Sequence, residues 1–75
     1  MRKEYLPKYR LLGLNIAYYR KLRGFSQERL AEEINISRTH MSRIETADCA
    51  VSLDVIFHLS DILEVAPSKL FEYKD

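Results

Sequence analysis

The stretch QERLAEEINISRTHMSRIE, residues 27–45, limits the possible folds more than any other part of the chain. Its apolar residues, Leu30, Ala31, Ile34, Ile36, Met41 and Ile44, fall where two short helices joined by a tight turn must bury them. Leu30 and Ile34 lie four apart and Met41 and Ile44 three apart, which is helical spacing, while Ile36 fills the connection. Ala31 is small where the helices cross. Left on the outside of the second helix are Arg38, Thr39, Ser42 and Arg43, a polar and basic face without a carboxylate. Such a face suits a groove of DNA.

Length bounds the rest. The 75 residues suffice for one domain, and a chain this small buries only about 60% of its unfolded surface, so modest stability is expected. We assign residues 1–75 to that domain, with a core over 12–72 and an N-terminal extension over 1–7. With 47% hydrophobic and 31% charged residues, the composition is that of a soluble globule rather than a disordered tail. No apolar run approaches the ~18 residues of a membrane span. The N-terminal MRKEYLPKYR has no continuous apolar stretch of the secretory kind, and the lone Cys49 cannot form an intramolecular disulfide. A reducing, cytoplasmic setting is expected.

The net charge of +1 conceals a gradient. Residues 1–29 hold eight Lys/Arg against two acids, residues 30–45 hold two against three, and residues 46–75 hold two against six. This segregation reads either as chance on solvated surfaces or as a basic DNA-facing side with an acidic far side.

The helical periodicity extends to five helices, and no period-two alternation persists between turn signals, so the fold class is all-α. The first helix is predicted from Pro7 or Lys8 to Leu22, with Leu12, Ile16 and Tyr19 on one face and Gly24 ending it. Ser26, Ser37 and Ser52 are placed to cap the second, third and fourth helices, and Glu28 and Asp54 suit the first turns of the second and fourth. Leu53, Ile56, Leu59 and Leu63 form the buried stripe of the fourth helix. Pro67 then opens a short fifth helix carrying Leu70 and Phe71.

From Ile16 to Phe71 this order of caps, core positions and lengths resembles the Xre or Cro-like helix-turn-helix family. Arg20, Gly24, Ser26, Gln27, Leu30, Ala31 and Glu45, occurring together at family spacing, make the resemblance specific. It implies a compact five-helix lambda-repressor-like domain whose helix-turn-helix is formed by helices 2 and 3. It also implies sequence-specific binding of double-stranded DNA by a transcriptional regulator such as a repressor, acting as a homodimer on a palindromic operator with helix 3 in the major groove. No cofactor, metal or small-molecule ligand is implied.

Carried over to this chain, the resemblance makes Gln27 a phosphate-binding side chain at the start of helix 2. Arg38, Thr39, Ser42 and Arg43 match positions that reach base edges or nearby phosphates. An arginine fork on guanine discriminates by ~1–3 kcal/mol, but which arginine reads a base and which holds phosphate stays open. Arg20 and Glu45 match an ion pair that ties helix 3 to helix 1.

Departures from the pattern carry expectations of their own. Asn35 stands where the turn usually has glycine, and Asn tolerates the left-handed conformation at small cost. Glu64 stands where glycine often ends the fourth helix, so a different helix ending is expected there. The loop TADCAV carries Asp48 as its only charge, where relatives commonly place cations. Affinity should therefore rest on Arg23, Gln27, Arg38 and Arg43, supplemented by the N-terminal Arg2, Lys3, Lys8 and Arg10.

His40, His58 and Cys49 fit no common zinc spacing, and Asp54, Asp61, Glu64 and Glu72 have no nucleophile or glycine-rich loop beside them, which argues against an enzyme. Tyr5, Tyr9, Tyr18, Tyr19 and Tyr73 read either as partly buried residues or, with Phe57, Ile62 and Pro67, as anchors of a dimer through the C-terminal helices. The alternative function is a protein-interaction module of the same fold, antitoxin-like or adaptor, with weak or no DNA binding.

Overall fold

Ser26, Ser37 and Ser52 each begin a helix in the same way. Their backbones are extended, and their hydroxyl oxygens accept from the amides of Arg29, His40 and Val55 at 3.0, 3.0 and 3.2 Å. In the computed structural model, which describes residues 1–74, they open α2 (Gln27–Glu33), α3 (Arg38–Glu45) and α4 (Leu53–Leu63). Ahead of them lies α1 (Leu6–Leu22), preceded by a 3-10 turn over Lys3–Tyr5. Among the described residues there is no strand.

The helical stripes read from the sequence converge on one core, with one correction: Leu53, expected in the buried stripe of the fourth helix, is 62% exposed, because it stands in the first turn of α4, beyond the core. Leu12 and Ile16 of α1, Leu30 and Ala31 of α2, Met41 and Ile44 of α3, and Ile56, Leu59 and Leu63 of α4 are buried together with Ile34 and Leu70. Tyr9, Tyr19, Ile36, Val51 and Ile62 cover its edge.

The predicted fifth helix is a 3-10 helix over Pro67–Phe71, so among the described residues there are four α-helices rather than five. The turn is closed by a Lys69 amide donating to the Ala66 carbonyl at 2.9 Å, three residues back, and one cause is visible. The carbonyls of Leu70 and Glu72, which would accept within a longer helix, instead accept from the Asn15 side-chain amide at 2.9 and 2.7 Å. Leu70 is buried, whereas Phe71 is half exposed.

Turns are where the chain spends its left-handed residues. Gly24 ends α1 at φ 79, and Asn35 has φ 59 in the α2–α3 turn. Glu64 corrects an expectation: α4 ends in the left-handed conformation that glycine would favour, at φ 57 and ψ 44. The Val65 amide donates to the Ser60 carbonyl at 3.1 Å to close that end.

Candidate nucleic-acid interface

One face of α3 is spent on the core and the other is open. Met41 and Ile44 are buried, while Arg38, Thr39 and Arg43 are exposed and Ser42 is half-buried. Arg38 and Ser42, and Thr39 and Arg43, are each four residues apart, so the four side chains stand together. They line a shallow surface concavity of about 320 Å³ with no carboxylate in it. Two arginines and two hydroxyls supply forked donors and adaptable donor-acceptors, a set that recognises phosphates or base edges. His40, beside them, is half-buried, and its amide is held by Ser37.

The C-terminal end of α3 is fixed by three contacts at Glu45. Arg20 of α1 donates to both carboxylate oxygens, from Nε at 2.7 Å and from Nη2 at 3.1 Å, and its Nη1 donates to the Phe25 carbonyl at 2.9 Å. The two side chains are 10% and 5% exposed, a buried fork. Gln27 Nε2 donates to Glu45 Oε1 at 3.0 Å, which joins the start of α2 to the same carboxylate. Below this, α1 passes so close that a Cβ on Gly13 would lie 2.5 Å from the Glu45 carbonyl oxygen and 2.7 Å from that of Ile44. Only a residue without a side chain fits there.

The loop after α3 closes on the helix itself. Thr46 Oγ1 donates to the Ser42 carbonyl at 2.9 Å and the Asp48 amide to the Arg43 carbonyl at 2.8 Å. Ala47, also left-handed at φ 61, is buried in this turn.

Three further cations named from the sequence lie away from the concavity on α3. Arg23, expected to face DNA, donates from Nε to the Leu63 carbonyl at 2.8 Å and from Nη2 to that of Glu64 at 3.2 Å. Its guanidinium therefore serves the end of α4. Arg10 lies in a groove with Leu14, Tyr18 and Tyr73, while Lys8 lines a different groove with Tyr5, Val51 and Leu53.

Comparison with known families and structures agrees with this architecture. A helix-turn-helix family model matches residues 16–70. The chain belongs to the Xre and lambda-repressor-like helix-turn-helix family. Among solved structures of similar fold is the restriction-modification controller protein C.AhdI from Aeromonas hydrophila, at TM-score 0.82 and 29% identity over 87% of this chain and 98% of that one. The N-terminal DNA binding domain of SinR from Bacillus subtilis gives 0.78 and 29% over 87% and 96%. The hypothetical transcription factor NHTF from Neisseria gives 0.82 and 29% over 87% and 75%. Comparison with curated protein sequences gives no significant match. Within this helix-turn-helix frame, α2 and α3 form the motif.

Sequence reasoning missed Gly13, Asn15 and the role of Arg23. Gly13 sits inside a helix with no turn signal near it. Asn15 is buried and stitches α1 to the C-terminal segment, its Oδ1 accepting from Lys74 Nζ at 2.9 Å. The Lys74 ammonium also lies 4.5 Å from the ring centres of Tyr18 and Tyr19. A polar residue in the apolar stripe between Leu12 and Ile16 was the available signal for Asn15.

Proposed function

We propose that this protein is a DNA-binding transcriptional regulator that lays α3 in the major groove of duplex DNA, as a dimer on a palindromic operator. One observation carries the reading: Arg38, Thr39, Ser42 and Arg43 stand together on the open face of a helix whose other face is buried. The buried Arg20–Glu45 pair supports it by fixing the angle of that helix on its scaffold. The names of the similar structures, a controller protein, a DNA binding domain and a transcription factor, point the same way.

Arg38 and Arg43 take base edges or phosphates, Thr39 a thymine methyl or a hydroxyl partner, and Ser42 a nearby phosphate. Gln27 retains one amide hydrogen for phosphate beside the one given to Glu45. A module this small makes few phosphate contacts, so joining two of them raises affinity through effective concentration.

The test is a titration over a range of salt on a palindromic duplex selected from a randomised library, comparing the parent with Arg38→Ala and Arg43→Ala. Loss of a base contact should cost ~1–3 kcal/mol and relax preference at one base pair, whereas loss of a phosphate contact should weaken all sequences alike. Unchanged binding by both variants would overturn the proposal.

A further inference from the structure

Helix α1 carries two apolar faces. Leu12 and Ile16 go to the core. On the other side Pro7, Leu11, Leu14, Tyr18 and Leu22 recur three or four residues apart, a second row on one face. At about 3.6 residues per turn this row covers an arc of roughly 80° and points well away from Gly13, where α3 crosses. Leu14 and Leu22 are 67% and 62% exposed, and Tyr18 is half exposed. Single apolar residues are ordinary on a protein surface, but a row of them along a helix is a contact surface.

Pro7, Leu11, Leu14 and Tyr18 line a groove of about 550 Å³ together with Tyr73 and Lys74 of the C-terminal segment. Its charge is one-sided. No carboxylate occurs anywhere in α1, Arg10 lines the groove beside Lys74, and the exposed Lys21 adjoins Leu22. Arg10 and Lys21 have no ion-pair partner among the described residues. The Lys74 ammonium is fixed by Asn15 Oδ1 at 2.9 Å and by the rings of Tyr18 and Tyr19. Apolar side chains set between free cations fit a partner that is apolar and acidic. Twofold pairing of this face with itself would bring like charges together, and a flat lipid surface would leave the groove unfilled. A helix with a ridge of leucines flanked by Glu or Asp fills it.

We propose that the outer face of α1, with Tyr73 and Lys74, docks an acidic amphipathic helix of a partner protein. None of these residues lines the concavity on α3 or the groove of Tyr5, Val51 and Leu53, so the face is separate from both. The proposal does not depend on the reading of α3, and its test uses no DNA.

The probe is a helical peptide of about 20 residues with leucines three and four apart and glutamates beside them, compared with a twin carrying lysine in place of every glutamate. Fluorescence anisotropy measures its affinity for the parent, Leu14→Ser, Leu22→Ser, Lys21→Glu and Arg29→Glu, the last a charge reversal of the same size on α2. Thermal melts show whether each variant is folded. The acidic peptide should bind the parent and the lysine twin should not. Leu14→Ser and Leu22→Ser should each weaken binding by at least about tenfold. Lys21→Glu should weaken it by about threefold at low salt and Arg29→Glu by clearly less. No binding by the parent, equal binding of the two peptides, parent-like affinity in both leucine variants, or equal losses for Lys21→Glu and Arg29→Glu would overturn the proposal. Two further results would also overturn it. A mass in light scattering that falls in Leu14→Ser, without peptide binding, gives the face to a second copy, and sedimentation with anionic vesicles, without peptide binding, gives it to a membrane.

Discussion

Glu45 is asked to do two things with different atoms. Its carboxylate takes three donated hydrogens, two from Arg20 and one from Gln27, while its carbonyl rests over Gly13. An acid at the end of a helix is unfavourable to the helix dipole, so the buried guanidinium is what makes this residue tolerable there. Such a pair adds little net stability once desolvation is counted, but removing one partner leaves the other charged and buried. Glu45→Ala should therefore cost ~3–5 kcal/mol by stranding Arg20. In a domain of this size that is a large share of the total, so folding and DNA binding should fail together. Circular dichroism melts alongside the binding titration check this; a folded Glu45→Ala variant with weak binding would contradict it.

Among the elements, the capped helix starts and the glycine end of α1 were legible, and the end of α4 was not. The starts of α2, α3 and α4 are each announced by a serine whose hydroxyl bonds an amide three residues on, a local interaction that the sequence carries in full. The end of α4 depends on a distant residue. Glu64 adopts φ 57 while Arg23, forty-one positions earlier, donates to its carbonyl, and nothing near Glu64 in the chain announces that bond. The same holds for the 3-10 helix at Pro67–Phe71, whose carbonyls are drawn off by Asn15. At the candidate interface the outward set on α3 was legible from spacing alone, because burial of Met41 and Ile44 fixes where Arg38, Thr39, Ser42 and Arg43 must point. The bonds of Arg23 to the end of α4 were not legible, because a surface arginine and a capping arginine look alike in sequence. The left-handed strain at Glu64 is removable: Glu64→Gly should stabilise the fold by about 1 kcal/mol and raise Tm by roughly 4–8 °C. The carbonyl that Arg23 uses is backbone and survives the change. An unchanged or lower melting temperature would count against this account of the helix end.

At the scale of the whole molecule, the surface leaves apolar groups where a lone chain has no use for them. Leu53 and Phe57, four apart on α4, are 62% and 50% exposed, and Phe71 is 52% exposed. Leu53 and Phe71 border the same groove, and Phe57 lies one helical turn further along α4. Three of the eight expected dimer anchors make contacts within the chain: Ile62 covers the core, and Tyr18 and Tyr19 form an edge-on pair 5.0 Å apart beside Lys74, while Phe57 remains exposed. An apolar cluster rimmed by charge is the anatomy of an interface between like copies. Half-sites one turn apart on a palindrome call for two α3 helices ~34 Å apart. Phe57→Asp places a charge beside these apolar residues without touching the core or α3. It should therefore shift the protein to a monomer in light scattering and leave the melt of the single domain intact. Binding to the palindromic duplex should weaken far more than binding to a single half-site, since only the former uses both copies. A Phe57→Asp protein that keeps the parent's mass and its preference for the palindrome would remove this face from the interface.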